Sequence, residues 1–532
     1  MHIAVPSLLP WLMWSGVQAA PITGGPETPT AEEPSTADPS PDTAAETSPS
    51  TTPTAPSSVA PSDSAQPPPS GPPPSATIVV NPPPESTPSV QIVGSPPPPA
   101  PEPAAKPELP TFEFGVQGFL RGEVRGNPDF DNDNGNGPDP AAILERIRLQ
   151  MLARYKFITV FAQLQDFRTF GFEQSTISNE GNTDLHQGYV EMGGKTERGT
   201  FGGWARVGRQ EIIWGNSRLI GNLDWLPSAR SFDGVRGHLE FGKFGLDTFA
   251  VLLDMQQNFT VTSPDGETVR QVRNNGSQLY GLQIYGNVHP LFNFEVQVLG
   301  TEQRPTPSAN TRRLSIASPG VRIFGSSFGF NYEAEAHVQA GKNGGRDHRA
   351  WAWQANVGYA LEKVRTSPAL SIGYAMASGD ECEGTRVPGT TMGCNAETSR
   401  DFFNFYPTNH LYYGFLDLMG WVNMRELNAK FSLKPHPVLS MVAAYHYFQL
   451  HQETGPWRAA TGALVGAGWD PNNEENNLGH EIDITMNVKP FKQLMFQPGY
   501  GVFIPVDAGR TLGGSNPQHF AWLWLIVTLG SV

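Results

Sequence analysis

Residues 330–339 read F-N-Y-E-A-E-A-H-V-Q, and apolar residues alternate with polar ones along the whole segment. Phe330 and Tyr332 fall on one face of an extended strand and Glu333 falls on the other, because successive side chains of a strand point to opposite faces. One face therefore needs an apolar environment and the other face needs water. The same two-residue period returns many times between about residue 112 and the C-terminus, which predicts an all-β protein.

Alternation alone is compatible with a soluble β-sandwich as well as with a barrel. The other clear examples lie at residues 146–154, 158–165, 292–298, 351–359 and 481–488. A further feature, the length of the connections between strands, is needed to choose between the two folds.

The connections between the predicted strands alternate in length. Short turns are expected at residues 155–157, 242–245, 326–328 and 434–437. Long polar loops are expected at residues 127–140, 171–183, 255–276, 379–410 and 453–477. Short turns at one end and long loops at the other are typical of outer-membrane barrels. We therefore predict a transmembrane antiparallel β-barrel of about eighteen strands over residues 111–532, and an even number places both termini in the periplasm.

Aromatic residues cluster near the ends of the predicted strands. They are Trp351, Trp353, Tyr412, Tyr413, Trp421, Trp522 and Trp524. We interpret them as a girdle at the membrane interface, where Trp and Tyr are enriched. The last predicted strand, at about residues 518–530, is apolar on both faces, so the alternation fails there.

The N-terminal region differs from the rest in composition. Residues 1–19 contain an apolar stretch that ends in Val17-Gln-Ala, which predicts a secretory signal peptide. Residues 20–110 are rich in Pro, Ser and Thr and contain 28 of the 50 prolines. Few large apolar residues interrupt them, so we predict a disordered linker that favours extended polyproline II structure. Its position before the barrel predicts a periplasmic tether, with peptidoglycan or a periplasmic protein as a possible partner.

Charge and cysteine content exclude some classes of function. The net charge is −15, and nine of these negative charges belong to residues 21–110. The remainder has no basic excess for nucleic-acid binding. Cys382 and Cys394 are the only cysteines, and a local disulfide is the favoured interpretation in an oxidising compartment. We find no catalytic, cofactor or metal-binding motif and predict none of these sites.

Residues 206–236 carry five arginines in one predicted strand–loop–strand unit, and two more precede them on an earlier strand. The seven candidate substrate-binding residues are Arg146, Arg148, Arg206, Arg209, Arg218, Arg230 and Arg236. A guanidinium group offers a planar fork of donors suited to carboxylates, and rings of arginine select anions. The alternative is that these arginines pair with Glu211, Asp224 and Asp233 and brace the lumen.

The same segment resembles the alginate-export family of Gram-negative outer-membrane proteins. The resemblance is carried by Gly208-Arg-Gln-Glu, Arg218-Leu-Ile-Gly, Asp224-Trp and Arg230-Ser-Phe-Asp-Gly. Three further stretches agree: Asp184-Leu-His-Gln-Gly-Tyr-Val, Tyr406-Pro-Thr-Asn-His with Tyr413-Gly-Phe-Leu-Asp, and Leu478-Gly-His-Glu-Ile-Asp. The resemblance covers residues 112–532 and implies a monomeric eighteen-stranded barrel with an arginine-rich conduit for an anionic polysaccharide.

Three functions remain open from the sequence. The first is an outer-membrane channel that exports an anionic, alginate-like polysaccharide. The second is a general or substrate-specific porin for small anions or organic acids. The third is a surface-anchored binding or structural barrel. All three predict contact with outer-membrane lipid and lipopolysaccharide, and none predicts an enzyme.

Overall fold

The computed structural model describes most of the chain after residue 108. The described residues are 109–130, 140–171, 180–196, 200–254, 257–262, 268–274, 276–303, 314–386, 391, 394 and 397–530. The predicted signal peptide, and the predicted linker up to residue 108, lie outside them. These two predictions therefore stay predictions.

The described residues are almost entirely extended. The strands are β1 Thr111–Gly126, β2 Ala141–Tyr155, β3 Ile158–Phe170, β4 Glu180–Lys195, β5 Phe201–Gln210, β6 Phe232–Phe241, β7 Phe244–Asp254, β8 Gln257–Thr262, β9 Thr268–Asn274, β10 Ser277–His289, β11 Phe292–Gln303, β12 Leu314–Ser327, β13 Phe330–Asn343, β14 Arg346–Ala360, β15 Ala369–Ala377, β16 Thr398–Ser399, β17 Met424–His436, β18 Leu439–Leu450, β19 Asn477–Phe491, β20 Leu494–Pro505 and β21 Gln518–Gly530. A 3-10 helix spans Asn409–Leu411 and the helix α1 spans Asp507–Leu512. No helix in this part of the chain has the length and apolar character needed to cross a membrane.

Eighteen of these strands form a closed antiparallel wall. Neighbours in sequence pair with each other, β7 pairs with β10, β15 pairs with β17, and β21 closes the wall against β1. The closing register runs from Gly115 opposite Gly530 to Gly126 opposite His519. Closure gives every strand of the ring a partner on each side along at least part of its length. The prediction of an antiparallel barrel of about eighteen strands is confirmed.

Three short strands lie outside this wall. β8 and β9 pair only with each other and form a hairpin within the loop predicted at residues 255–276. The two-residue strand β16 lies parallel to the start of β14. The prediction of one long loop at residues 255–276 did not include this hairpin.

The connections differ at the two ends of the barrel. At one end, called here the short-turn end, only two residues separate β2 from β3, β6 from β7 and β17 from β18. At the other, the long-loop end, the connections include 211–231, 378–423 and 451–476. One connection at the long-loop end is also short: Gly344 and Gly345 join β13 to β14 with φ angles of 60° and 81°. These left-handed values explain the glycine pair.

Strand β13, which contains residues 330–339, has the two faces that its alternation predicts. Glu335, His337 and Gln339 are buried on the lumen side, whereas Ala336 and Val338 are exposed on the outside. Exposed apolar side chains on the outer surface recur on the other wall strands. A continuous apolar exterior is what a bilayer requires of a barrel.

The main hydrophobic cluster lies inside the barrel. Residues 211–231, the first inward loop, and residues 400–423, the second inward loop, supply many of its members. Trp225 of the first inward loop packs edge-on against Trp522 and Trp524 of β21, with ring centroids 5.7 and 5.3 Å apart. This packing explains why β21 is apolar on both faces.

The predicted aromatic girdle is wrong for most of its members. Tyr413, Trp421, Trp522 and Trp524 are buried, and Tyr412 packs next to Tyr413. These rings contact the inward loops and not the membrane interface. Their clustering near strand ends reflects the packing of the loops into the lumen, which the sequence pattern alone does not reveal.

Candidate functional site

The two inward loops cross the lumen. The first inward loop leaves the wall after Gln210 and rejoins it at Phe232, and these two residues are paired directly. Within this loop, the carbonyl of Trp225 accepts a hydrogen bond from the guanidinium group of Arg121 of β1. Asn216, in the same loop, donates to Glu335 of β13. Strands β1 and β13 are well separated around the ring, so the loop spans the interior.

Arg146 and Arg148 of β2 anchor the first inward loop to the wall. Their Nη1 atoms lie 3.0 and 2.6 Å from the Asp224 carboxylate. Arg146 also donates to the Leu226 carbonyl at 3.0 Å, and Arg148 approaches Glu211 at 3.6 Å. The two guanidinium side chains are only 1% and 5% exposed. Both arginines are thus held by the loop itself.

Asp224 carries the negative charge of this anchor. Burial alone would raise the pKa of Asp224, but the charges of Arg146 and Arg148 outweigh it and the pKa lies below its ordinary value. The carboxylate therefore stays ionised throughout the neutral range. At every pH above the ordinary pKa of an aspartate, the ion pairs therefore stabilise the docked loop in full. This stabilisation is lost only as the pH falls through the lowered pKa of Asp224.

We expect the docked loop to be insensitive to pH between 8 and 5 and to loosen only below about pH 4. The single-channel current of the purified protein should be constant between pH 8 and 5. Below about pH 4 the current should rise or become noisy. Asp224→Asn is the matched control, because it removes the titrating group and should show the loosened behaviour already at pH 7. A transition of the unmodified protein near pH 6 would contradict this assignment.

Arg218 and Arg230 join the two inward loops. Arg230 donates through Nη1 to the carbonyls of Gly221 and Tyr406, and burial lowers its pKa to about 10, so it remains cationic at neutral pH. Arg218 donates to the Tyr413 hydroxyl at 2.8 Å, and its guanidinium lies 3.6 Å above the centre of the Tyr412 ring.

The backbones of the two loops are also paired. Gly221 N–H donates to the Tyr406 carbonyl, and Tyr406 N–H donates to the Leu219 carbonyl, each at 2.9 Å. The second inward loop is fixed in turn to the wall, where Leu416 N–H donates to Glu481 of β19 at 2.9 Å. The two loops therefore form one connected barrier across the lumen.

The remaining candidate arginines belong to the wall. Arg206 of β5 lies 2.6 Å from Glu191 and 4.0 Å from the centre of the Tyr189 ring. Arg236 of β6 makes a two-pronged contact with Asp247, at 3.0 and 2.7 Å. Arg209, near the end of β5, lies between the carboxylates of two other residues. Its partners are Asp184 at 3.1 Å and Asp233 at 2.9 Å.

All seven predicted arginines therefore contact a carboxylate, a carbonyl or a hydroxyl of the protein, but they do not form one ring. Arg146, Arg148, Arg218 and Arg230 meet at the inward loops, whereas the other three follow the wall.

The sequence interpretation missed two further buried arginines of the lumen. Arg121 lies 3.5 Å from the centre of the Trp225 ring. Arg322 lies 2.8 Å from Glu295 and 3.2 Å from Glu333.

Both missed arginines lie on the lumen face that the alternation of β1 and β12 defines. That alternation is the signal by which they could have been found. Neither lies in the arginine-rich segment 206–236, which is the stronger signal in the sequence. Buried acids line other parts of the lumen, and Glu426, Glu481 and Asp483 are each no more than 2% exposed.

The two cysteines lie near the base of the long connection after β15. The structure joins Cys382 and Cys394 by a disulfide, with the Cα atoms 4.2 Å apart. Both pack against the buried Trp469. Among the described residues, no group of His, Cys, Asp and Glu has an arrangement that could hold a metal ion.

A closed eighteen-stranded wall, an apolar exterior and charged loops inside the lumen are the features of an outer-membrane channel. The chain belongs to the alginate-export family, because the model of that family matches residues 111–522. A comparison with curated proteins finds no significant match.

Solved structures of the same fold come from Pseudomonas aeruginosa. OccD3 (OpdP) is similar with a TM-score of 0.50 and 10% identity, over 79% of this chain and 92% of that one. OccK5 (OpdH) is similar with a TM-score of 0.50 and 10% identity, over 79% of this chain and 98% of that one. At this identity, the likeness concerns the fold alone.

Proposed function

We propose that this channel exports an anionic, alginate-like polysaccharide across the outer membrane. The observation that carries the proposal is the set of partly exposed arginine–carboxylate pairs on the lumen wall, in a chain of the alginate-export family. Arg206 and Arg236 belong to this set, with side chains 18% and 15% exposed. A carboxylate of the polymer can replace Glu191 or Asp247 on such an arginine, because both carboxylates accept the same fork of donors.

Passage under this proposal is passive and uses many weak contacts. An arginine that already has a protein carboxylate binds the polymer only by exchange, so no single site holds it tightly. Weak sites in series allow a charged chain to enter and to leave. Arg146, Arg148, Arg218 and Arg230 have another role in this proposal: they hold the inward loops, which must move for a polymer to pass.

The proposal includes an orientation. The long-loop end faces the cell exterior and the short-turn end faces the periplasm, as in other barrels of this kind. The linker at residues 20–110 then extends into the periplasm, where peptidoglycan or a protein partner could bind it. The exposed apolar outer surface contacts lipid and lipopolysaccharide, and the barrel acts as a monomer.

A second candidate is a porin for small anions or organic acids. The packing of the two inward loops favours it, because a small solute needs a narrower path than a polymer and less displacement of buried aromatic side chains. The same packing is compatible with a surface-anchored structural barrel that does not conduct. The ion selectivity of the purified protein and its block by polymer distinguish the three.

We expect the purified protein in planar bilayers to prefer anions and to be blocked by polyuronate added on the short-turn side. Arg206→Gln should reduce the anion preference by about two- to threefold, because it removes one of several fixed charges near the path. Arg168→Gln is the matched control: Arg168 is also paired with an acid, Asp166, but lies on the exposed outer face.

Cation preference of the unmodified protein would refute both anion hypotheses. Anion preference without block by polyuronate would favour the small-solute porin. Absence of conductance, with the barrel correctly folded, would favour the structural role. An equal effect of Arg206→Gln and Arg168→Gln would show that the lumen position of Arg206 has no special importance.

A further inference from the structure

The wall has a notch at the long-loop end, next to β4. Strand β4 pairs with β3 as far as Glu180, but its pairing with β5 extends only from Lys195 to Gly188. The reason is that β5 ends at Gln210, where the chain turns into the lumen. Among the described residues, the part of β4 beyond Gly188 therefore has a strand neighbour on one side only.

A cavity of about 220 Å³ lies at this notch, between the wall and the first inward loop. Its wall side is lined by Phe167 of β3 and by Asn182, Asp184 and His186 of β4. Its loop side is lined by residues 228–231, and Arg209 lies at its margin. The cavity is smaller than the 300–1,000 Å³ typical of sites for drug-sized ligands, which suits an occupant of about one six-membered ring.

Hydrogen bonds from the wall fix the position of residues 228–231, which form the loop side of the cavity. Gln165 of β3 donates to the Ser228 carbonyl at 2.8 Å. His186 is almost fully buried and contacts Glu211 at 2.8 Å, at the start of the same loop. These contacts between protein side chains hold the cavity open, and a preformed cavity lowers the entropic cost of binding.

Two buried polar atoms close to the cavity lack partners. The Nε atom of Arg209 and the Oγ atom of Ser228 have no hydrogen-bond partner among the described residues. A buried donor or acceptor without a partner is costly, and both atoms belong to residues that line the cavity. The side chains of Asp184 and Arg209 are 47% and 35% exposed, so the cavity is accessible from solvent.

The chemistry of the lining indicates a sugar. Carboxylate, amide and guanidinium groups are planar and can bind two neighbouring hydroxyl groups at once. The ring of Phe167 offers an apolar face for the C–H side of a pyranose, which is itself amphipathic. A cavity with a few converging polar groups and one aromatic ring is a suitable site for a small polar ligand.

The charges at the cavity favour recognition of hydroxyl groups over carboxylates. Arg209 already lies between Asp184 and Asp233, so the guanidinium charge is balanced by two acids. A uronate carboxylate would meet Asp184 with the same sign of charge. A hydroxyl group, in contrast, can donate to Asp184 and accept from Arg209.

We propose that this cavity is a binding subsite for one pyranose residue, recognised through its ring hydroxyl groups, at the long-loop rim of the channel. The subsite rests on the proposed function only in that the exported polymer would supply the sugar. It adds a second mode of recognition: the wall arginines bind carboxylates, and the subsite binds the part of a sugar that acidic and neutral polymers share.

The test uses two matched probes and the full-length protein in detergent. The probes are a β-1,4-linked mannose hexasaccharide and the mannuronate hexasaccharide, which differ only in the carboxylate at each ring. Isothermal titration should detect binding of both, with dissociation constants within about tenfold of each other. Binding of the neutral probe should persist in 1 M salt, where charge–charge attraction is screened.

Asp184→Ala should weaken the binding of the mannose hexasaccharide by about tenfold or more, because it removes a charged hydrogen-bond acceptor for a ring hydroxyl group. The mannuronate hexasaccharide should lose less affinity, because the same substitution also removes a like charge from the cavity. Asn182→Ala is a second variant in the same cavity and should weaken both in the same direction. Asp233→Ala is the control for the neutral probe: it removes the other acid of Arg209 but does not line the cavity, so the affinity for the mannose hexasaccharide should change less than about twofold.

Binding of mannuronate alone, abolished by 1 M salt, would overturn the proposal in favour of a charge-based site. So would equal effects of Asp184→Ala and Asp233→Ala. Binding is measured without current, so a barrel that failed to conduct anions could still possess the subsite. Conversely, an anion-selective channel that bound neither probe at Asp184 would retain the proposed function and lose only the subsite.

Discussion

Replacing Asp224 by Ala is expected to give the largest change in channel behaviour, with higher and noisier single-channel conductance than the unmodified protein. The substitution leaves Arg146 and Arg148 almost fully buried without their shared carboxylate. Removing one member of a buried ion pair costs about 3–5 kcal/mol. Since the Asp224 side chain is 31% exposed, the cost should be near the lower value of about 3 kcal/mol. The equilibrium constant for docking of the first inward loop should then fall by about a hundredfold.

The measurement is a single-channel recording at neutral pH, with the reversal potential in a salt gradient as a second readout. Two freed guanidinium groups should also increase the preference for anions. Asp233→Ala serves as the control, because it also removes a carboxylate from an arginine but at a site that is exposed. Conductance and selectivity equal to those of the unmodified protein would mean that Asp224 does not hold the loop.

The second large effect is expected for Arg230→Ala. Arg230 donates to carbonyls of both inward loops, including those of Gly221 and Tyr406. Removing the guanidinium group leaves these two carbonyl groups without their charged hydrogen-bond donor. A hydrogen bond to a charged group contributes about 1.5–3 kcal/mol. We expect the second inward loop to separate from the first about ten- to a hundredfold more often.

Limited proteolysis measures this separation, because residues 400–423 should become a cleavage site while the wall strands stay intact. Arg230→Lys is the informative companion: lysine keeps the charge but cannot supply the planar fork of donors, so it should give an intermediate rate of cleavage. A cleavage rate of Arg230→Ala equal to that of the unmodified protein would show that the backbone pairing near Tyr406 suffices to hold the loops together.

The wall was predictable from local pattern, and the contents of the lumen were not. In β13 the alternation places Glu335 and His337 on the polar face together with Glu333, and this face lines the lumen, because the two-residue period of a strand is a property of the backbone. The same pattern could not say what those side chains would meet. Glu335 lies 3.5 Å from Arg218, more than a hundred residues earlier in the chain.

The aromatic residues show the same division. Trp522 and Trp524 lie near a strand end, as residues of an interfacial girdle do, but they pack against Trp225. Whether such a residue faces lipid or lumen depends on its parity along the strand. Whether its lumen neighbour is water or another ring depends on a loop from a distant part of the chain. Because β21 is apolar on both faces, both questions required the tertiary structure for these two residues.

The sequence by itself determined that this chain forms an all-β barrel of about eighteen strands with an arginine-rich segment between two of them. Periodicity and connection length are local properties, and they are sufficient for a wall whose strands pair with their neighbours in sequence. The tertiary structure alone decided that the arginines are paired, that two loops cross the lumen, and that a cavity lies beside Asp184. These features depend on charges and rings far apart in sequence, which approach each other only when the barrel closes around its own loops.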